Sequence, residues 1–197
     1  MYRRQQPSDL TISIARPEAE AALRALIPHS ARALSAGFYP TEEAEAAISY
    51  VFGVDRTLID DGTYFMATRG DALCGCGGWS KRRTLYGGDQ HKDSVDPLLD
   101  PMVDAARIRA FFVAPEFARQ GVGTKLMQAC AQAAFDAGFR RLELMATLPG
   151  VPLYSTFGFT AVEDVVEVVG NGVPIRFVRM HRSLDTPSLL DAQLDKR

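Results

Sequence analysis

The sequence predicts a single domain of mixed α/β (α+β) class, with a sheet covered by helices on both faces. Three observations carry this expectation. The element order reads strand, two helices, a run of strands, helix, strand, short helix and terminal hairpin, which suits a mixed sheet between helical layers. The chain has 197 residues, 47% of them hydrophobic and 23% charged, enough for one sizeable core. Glycine-bearing turns, Arg69-Gly70-Asp71 and Asn171-Gly172, separate apolar runs, as hairpins require. We assign residues 1–184 to the domain and 185–197 to a C-terminal tail, either a short helix or disordered.

Taken in order, Leu10 to Ile14 alternates apolar and polar and reads as a strand. Pro17-Glu18 opens a helix through Leu26, with an apolar face of Ala22, Leu23, Leu26 and Ile27. His29 to Pro40 is small-residue-rich and reads as irregular. Thr41 is the expected N-cap of a second helix, acidic in its first turn, that ends near Gly53. Thr63–Thr68 and Leu73–Lys81 form a strand pair, and Tyr86 to Asp104 is a long loop rich in Gly, Asp and Pro. Loops of this length within a domain are usually functional or mobile. After Phe159, a strand through Val169 turns at Asn171-Gly172 and returns from Pro174 to Met180.

Bulk properties exclude several classes of function. With 22 basic and 24 acidic residues the formal net charge is −2, so no electrostatic footprint for nucleic acid is present. No run approaches the ~20 apolar residues of a membrane span. Met1 to Pro7 carries charges with no apolar run behind them, unlike a secretory signal, and the expected location is cytoplasmic. Cys74 and Cys76, two apart in a strand, are expected to face the same way as small apolar residues. Together with Cys130 they make neither a disulfide framework nor a metal site. No metal is expected.

The informative stretch runs from Arg107 to Phe159. A strand, Ile108–Val113, is closed by Ala114-Pro115-Glu116, and the loop Phe117 to Lys125 leads into a helix stopped by Gly138. A strand that turns into a helix aims the first unpaired N–H groups, and the positive end of the helix dipole, at whatever lies above the turn. Gly121 and Gly123 allow close backbone approach, and Arg119 and Lys125 could add charge or simply be solvated. A Walker loop is excluded because four residues do not separate its first Gly from a Gly-Lys pair. A dinucleotide fingerprint is excluded because Leu126 stands where a third Gly is required. After the strand Arg141–Ala146 comes Tyr154-Ser155-Thr156-Phe157-Gly158-Phe159.

This ordered set resembles the GNAT superfamily of N-acetyltransferases. The loop resembles its Gln/Arg-x-x-Gly-x-Gly/Ala pattern at Gly121 and Gly123, and the Tyr-x-x-x-Gly-Phe segment is matched at Tyr154, Gly158 and Phe159. It departs at Ala118, where the family more often has Gln or Arg, and at Thr147, where many members carry Asn. The resemblance implies a mostly antiparallel sheet whose fourth and fifth strands splay apart. It implies acetyl-CoA as acetyl donor, held by Arg119, Gln120, Gly121, Val122, Gly123 and Thr124 around the pyrophosphate. It also implies that the pantetheine arm pairs with the backbone of Phe111, Phe112 and Val113. By position, Tyr154 is the proton donor to the leaving thiolate, worth ~10²–10⁴-fold. Taken alone, it reads as a half-buried tyrosine packing a helix on the sheet.

The oxyanion donor implied is a main-chain N–H near Phe112 or Val113. For the base, Asp60, Asp61, Glu143, His91 and His29 are candidates, each also readable as a solvated surface group, and a water relay is the alternative. Trp79, Tyr86 and Tyr50 are either pocket or core, and the loop carboxylates Asp89, Asp93, Asp96, Asp100 and Asp104 either attract a cation or are solvated. The expected activity is acetylation of a primary amine on a small molecule or protein. The alternative is a non-catalytic acyl-CoA-binding or regulatory module. Neither nucleic acid nor membrane is an expected partner, and the terminal hairpin offers an edge for a homodimer.

Overall fold

In the computed structural model, residues 9–91, 96–170 and 172–184 are described. They form one seven-stranded sheet in the order β1-β2-β3-β4-β5-β7-β6. The strands are β1 (Leu10–Ile14), β2 (Tyr64–Arg69), β3 (Ala72–Ser80), β4 (Ala106–Val113), β5 (Arg141–Thr147), β6 (Thr160–Val168) and β7 (Pro174–Ser183). The helices are α1 (Glu20–Ser35), α2 (Thr41–Tyr50), α3 (Arg56–Asp60), α4 (Val122–Asp136) and α5 (Val151–Thr156). Every ladder is antiparallel except β4–β5, which is parallel over just Ala106↔Leu142 and Arg107↔Glu143. Beyond those two pairs the strands diverge. The sheet is therefore two halves joined at one end, with a gap at the other.

The helices cover opposite faces. Leu23, Leu26 and Ile27 of α1 pack with Leu58, Tyr64 and Cys76 in one cluster. On the other face Met127, Cys130 and Ala131 of α4 pack with Leu142, Phe157 and Phe159. Each fully buried aliphatic side chain contributes ~1.5–3 kcal/mol. Two bulges shape the middle of the sheet. Register slips between Ala67 and Thr68, leaving Cys74 as the extra residue of β3. It slips again between Cys76 and Gly78, where Ala110 of β4 takes a left-handed φ of 54°.

Several expectations are corrected. The first helix does not stop at Leu26: α1 runs through Pro28 to Ser35. Its buried stripe, Leu23, Leu26, Ile27, Ser30, Ala31 and Ser35, keeps helical spacing, but changes from aliphatic to small residues at Ser30, which made the second half look irregular. Burial of that stripe outweighs the backbone bond lost at Pro28. Thr41 lies inside α2; Pro40 is its N-cap and has no side-chain cap bond. The cysteines do not face the same way. Because Cys74 is the bulged residue, it packs with Val122 and Leu126 of α4, while Cys76 packs on the α1 side. The Asn171 half of the hairpin turn and the tail 185–197 lie outside the described residues.

Candidate active site

A cleft of about 1100 Å³, counting its open mouth, occupies the gap between β4 and β5. Its floor is the bulged part of β4, Ile108 to Val113, and α5 contributes Leu153 and Tyr154 to one wall. The opposite wall comes from Ser30, Ala31 and Leu34 of α1, the segment Val51–Gly53, Tyr86 to Gly88, and Phe177 of β7. The first part of the long loop is stitched in place here. Gly88 N–H donates to the Val51 carbonyl at 2.8 Å, and Asp89 N–H to that of Val54 at 3.1 Å.

Next to Leu153, which lines the cleft, stands the N-terminus of α4. Gly121 is its N-cap with φ 82°, and nothing lies within 4 Å of the point where a Cβ would stand. The first intrahelical bond runs from Lys125 N–H to the Gly121 carbonyl at 3.0 Å. The amides of Val122, Gly123 and Thr124 precede that bond and face the turn. Gly123 packs against the Leu153 side chain, 3.1 Å from where its Cβ would be, which fixes α4 beside α5. Arg119 is exposed and also left-handed, φ 62°. The Gln120 side chain is occupied in holding the loop: it donates to the Glu116 carbonyl at 2.8 Å and accepts from Arg69 at 2.7 Å. Val122 is 1% exposed, so its side chain is core and its amide alone faces the turn. These open amides and the bare Cα of Gly121 fit a pyrophosphate.

Tyr154 lies beside the bulge of β4, its ring edge-on to Phe111 at 6.2 Å and to Phe159 at 5.9 Å between centroids. Burial pushes its phenol well above the usual value, and Cys130 adds to that shift. The group therefore keeps its proton across the ordinary pH range. Phe111 and Phe112 line the cleft, and the Val113 amide already has a partner: it donates to Ser30 Oγ at 3.1 Å. Ser30 is 2% exposed. Nothing in the sequence marks it, because the buried stripe of α1 turns from aliphatic to small residues at this position.

The base candidates separate clearly. Glu143 is not a solvated group beside the gap. It is 8% exposed at the closed end of β4–β5, in the ion pairs Arg107–Glu143 and Arg179–Glu143. Asp61 binds Arg82 in a two-point pair at 2.7 and 2.9 Å, and Asp60 is exposed at the end of α3. His29 is on the outer side of α1, 3.3 Å from Glu116. The short turn Asp89–His91 is described, but the His91 side chain and Asp93 lie outside the described residues. Asp89, Asp96 and Asp100 accept from backbone amides of Arg56, Thr84 and Met102, and Asp104 from that of Asp100. These loop carboxylates hold local structure. Trp79 is core, edge-on to Phe139 at 5.9 Å, and Tyr50 is surface, packed on Gly170. Of the three aromatic candidates, Tyr86 reaches the cleft. Its hydroxyl donates to Glu167 at 2.9 Å, and its ring tilts on Phe177 at 5.6 Å.

A buried charge pair, also unforeseen, supports the cleft from behind. Arg109 of β4 meets Asp55 at 2.8 Å, with 3% and 0% of each residue exposed. The same guanidinium donates to the carbonyls of Thr84 and Gly87, tying the loop to the sheet. Asp55 also caps α3, accepting from Leu58 N–H at 3.3 Å. No local sequence signal marks this pair, since its members come from distant segments.

Comparison with known proteins agrees with this arrangement. Residues 28–159 match the family model described as the acetyltransferase (GNAT) family. No curated protein matches the sequence. A GCN5-related N-acetyltransferase from Rhodopseudomonas palustris superposes with a TM-score of 0.67 at 20% identity, over 92% of this chain and 99% of its own. PaiA N-acetyltransferase from Thermoplasma acidophilum, solved with coenzyme A, gives a TM-score of 0.58 at 15% identity over 89% and 99%. YncA from Salmonella typhimurium, solved with acetyl-CoA, gives 0.57 at 16% over 91% and 96%. At these identities the structural likeness shows a shared fold.

Proposed function

Because the chain belongs to the GNAT acetyltransferase family, we propose that it is an N-acetyltransferase, moving the acetyl group of acetyl-CoA to a primary amine of a small molecule or protein. The observation that carries this reading is a cleft with a protonated Tyr154 on its wall and, packed beside it through Leu153, a helix N-terminus with open amides. Acetyl-CoA supplies a thioester carbonyl: a nitrogen–carbon bond forms as the carbon–sulfur bond breaks. Val122, Gly123 and Thr124 offer amides to the pyrophosphate, with Gly121 giving room and Arg119 adding charge at the mouth. Tyr154 carries the proton that the departing sulfur takes up, and the acceptor's proton leaves through water. Phe111 and Phe112 shield the reacting atoms from bulk solvent. The cytoplasm is the proposed site of action.

A second reading, a non-catalytic acyl-CoA-binding module, is favoured by one observation. Among the described residues lining the cleft, none is an aspartate, glutamate or histidine. A thiol-release assay with acetyl-CoA and a set of amines separates the two. Release with any amine supports the transferase; binding of coenzyme A by calorimetry with no release from any amine supports the module. No binding at all would remove both.

A further inference from the structure

The end of the cleft away from α5 is apolar. Leu34, Val51, Phe52, Tyr86, Met145 and Phe177 line it. Most of these belong to a cluster built on α2, β5 and β7, which shares no residue with the clusters around α4. Arg109 is the one charged side chain among the described residues lining the whole cleft, and Asp55 and two carbonyls already hold it. Among these six side chains the one hydrogen-bonding group is the Tyr86 hydroxyl, bound to Glu167, and Ser35 and Thr147 add only hydroxyls to the described lining.

We propose that the acceptor is a monoamine on an apolar aromatic or branched aliphatic body, received as the free base, and not a polycation. This rests on the transferase reading and specifies its acceptor. A polyamine or amino-sugar would bring several ammonium groups past walls whose described residues offer no carboxylate, and burying an unpaired charge is strongly unfavourable. An apolar body removes its own surface from water against the same walls, gaining ~25 cal/mol per Å². The tilted Tyr86 and Phe177 rings suit an aromatic body in particular. The same apolar surroundings lower the pKa of an entering ammonium. Loss of its proton to water at the mouth is therefore favoured by desolvation, in place of a protein base.

The test is initial-rate thiol release at fixed acetyl-CoA with 2-phenylethylamine, isoamylamine, spermidine and kanamycin. The expected result is kcat/KM for the two apolar monoamines at least about tenfold above both polycations, equivalent to ~1.4 kcal/mol of discrimination. A variant Leu34→Asp, adding a carboxylate to the wall, is expected to narrow that ratio by about tenfold or more. Turnover of spermidine or kanamycin equal to or above the monoamines would overturn the acceptor assignment while leaving the transferase standing. No thiol release from any amine, with coenzyme A still bound, would overturn both.

Discussion

Tyr154 and Ser30 approach the bulge of β4 from opposite sides, and the two side chains make different demands on the protein. The Tyr154 phenol is pushed up by burial, so it holds its proton at neutral and mildly alkaline pH. Tyr154→Phe is expected to bind coenzyme A with unchanged heat while kcat falls ~10²–10⁴-fold. The sign of its pH effect follows from the direction of the shift. Since the phenol loses its proton only above its ordinary range, the wild-type rate should rise with pH as the amine deprotonates, with no falling limb from Tyr154 below pH about 10. A falling limb near neutrality that disappears in the Phe variant would contradict this. Ser30 accepts from the Val113 amide inside the core. Ser30→Ala leaves that donor unpaired and is expected to cost ~1–3 kcal/mol in urea unfolding, with no large cavity to add to it.

At the scale of elements, the left-handed cap of α4 and the Asp55–Arg109 pair set the shape of the cleft. Gly121 sits at φ 82° with open space around its Cα. A valine there meets no neighbour, but the backbone conformation costs it ~1–2 kcal/mol. Gly121→Val is therefore expected to weaken coenzyme A binding by roughly tenfold or more in calorimetry while the far-ultraviolet dichroism stays native. Asp55→Ala removes the partner of a buried guanidinium and the cap of α3 together, with an expected loss of ~3–5 kcal/mol. The double variant Asp55→Ala with Arg109→Met should recover part of it, because no unpaired charge then remains. These two features also mark what could be read from the sequence. The strand–loop–helix order and the turn around Gly121 follow from neighbours in the chain, where glycine spacing and apolar periodicity speak directly. Ser30, Asp55 and Arg109 do not, because each is explained by a partner brought close only by the sheet. The continuation of α1 past Pro28 was hidden for a related reason: its stripe of Ser30, Ala31 and Ser35 is buried against β4 without being aliphatic. Cys74 was misread because a single bulge reverses the alternation of a strand.

For the whole molecule, the two-pair junction of β4 and β5 is the most consequential feature. Half the sheet, β1 to β4, meets the other half, β5, β7 and β6, directly through Ala106↔Leu142 and Arg107↔Glu143. At that junction Glu143 is held between Arg107 and Arg179. Burial, together with the nearby Arg179 charge, lowers the pKa of Arg107. The cleft lies at the far end of the same seam, so a ligand seated there bridges both halves and binds only the folded chain. Acetyl-CoA at a hundred times its dissociation constant should then add ~2.7 kcal/mol to stability. Glu143→Gln opens the other end: two closely spaced arginines lose their shared anion, with an expected cost of about 3 kcal/mol. Because Glu143 does not line the cleft, the increment from acetyl-CoA should be the same in variant and wild type. A thermal melt of both proteins with and without the ligand checks this directly. Equal ligand-induced shifts on a lowered baseline mean that the clamp and the cleft act independently at opposite ends of the seam. Loss of the shift in Glu143→Gln would mean instead that the clamp sets the width of the gap.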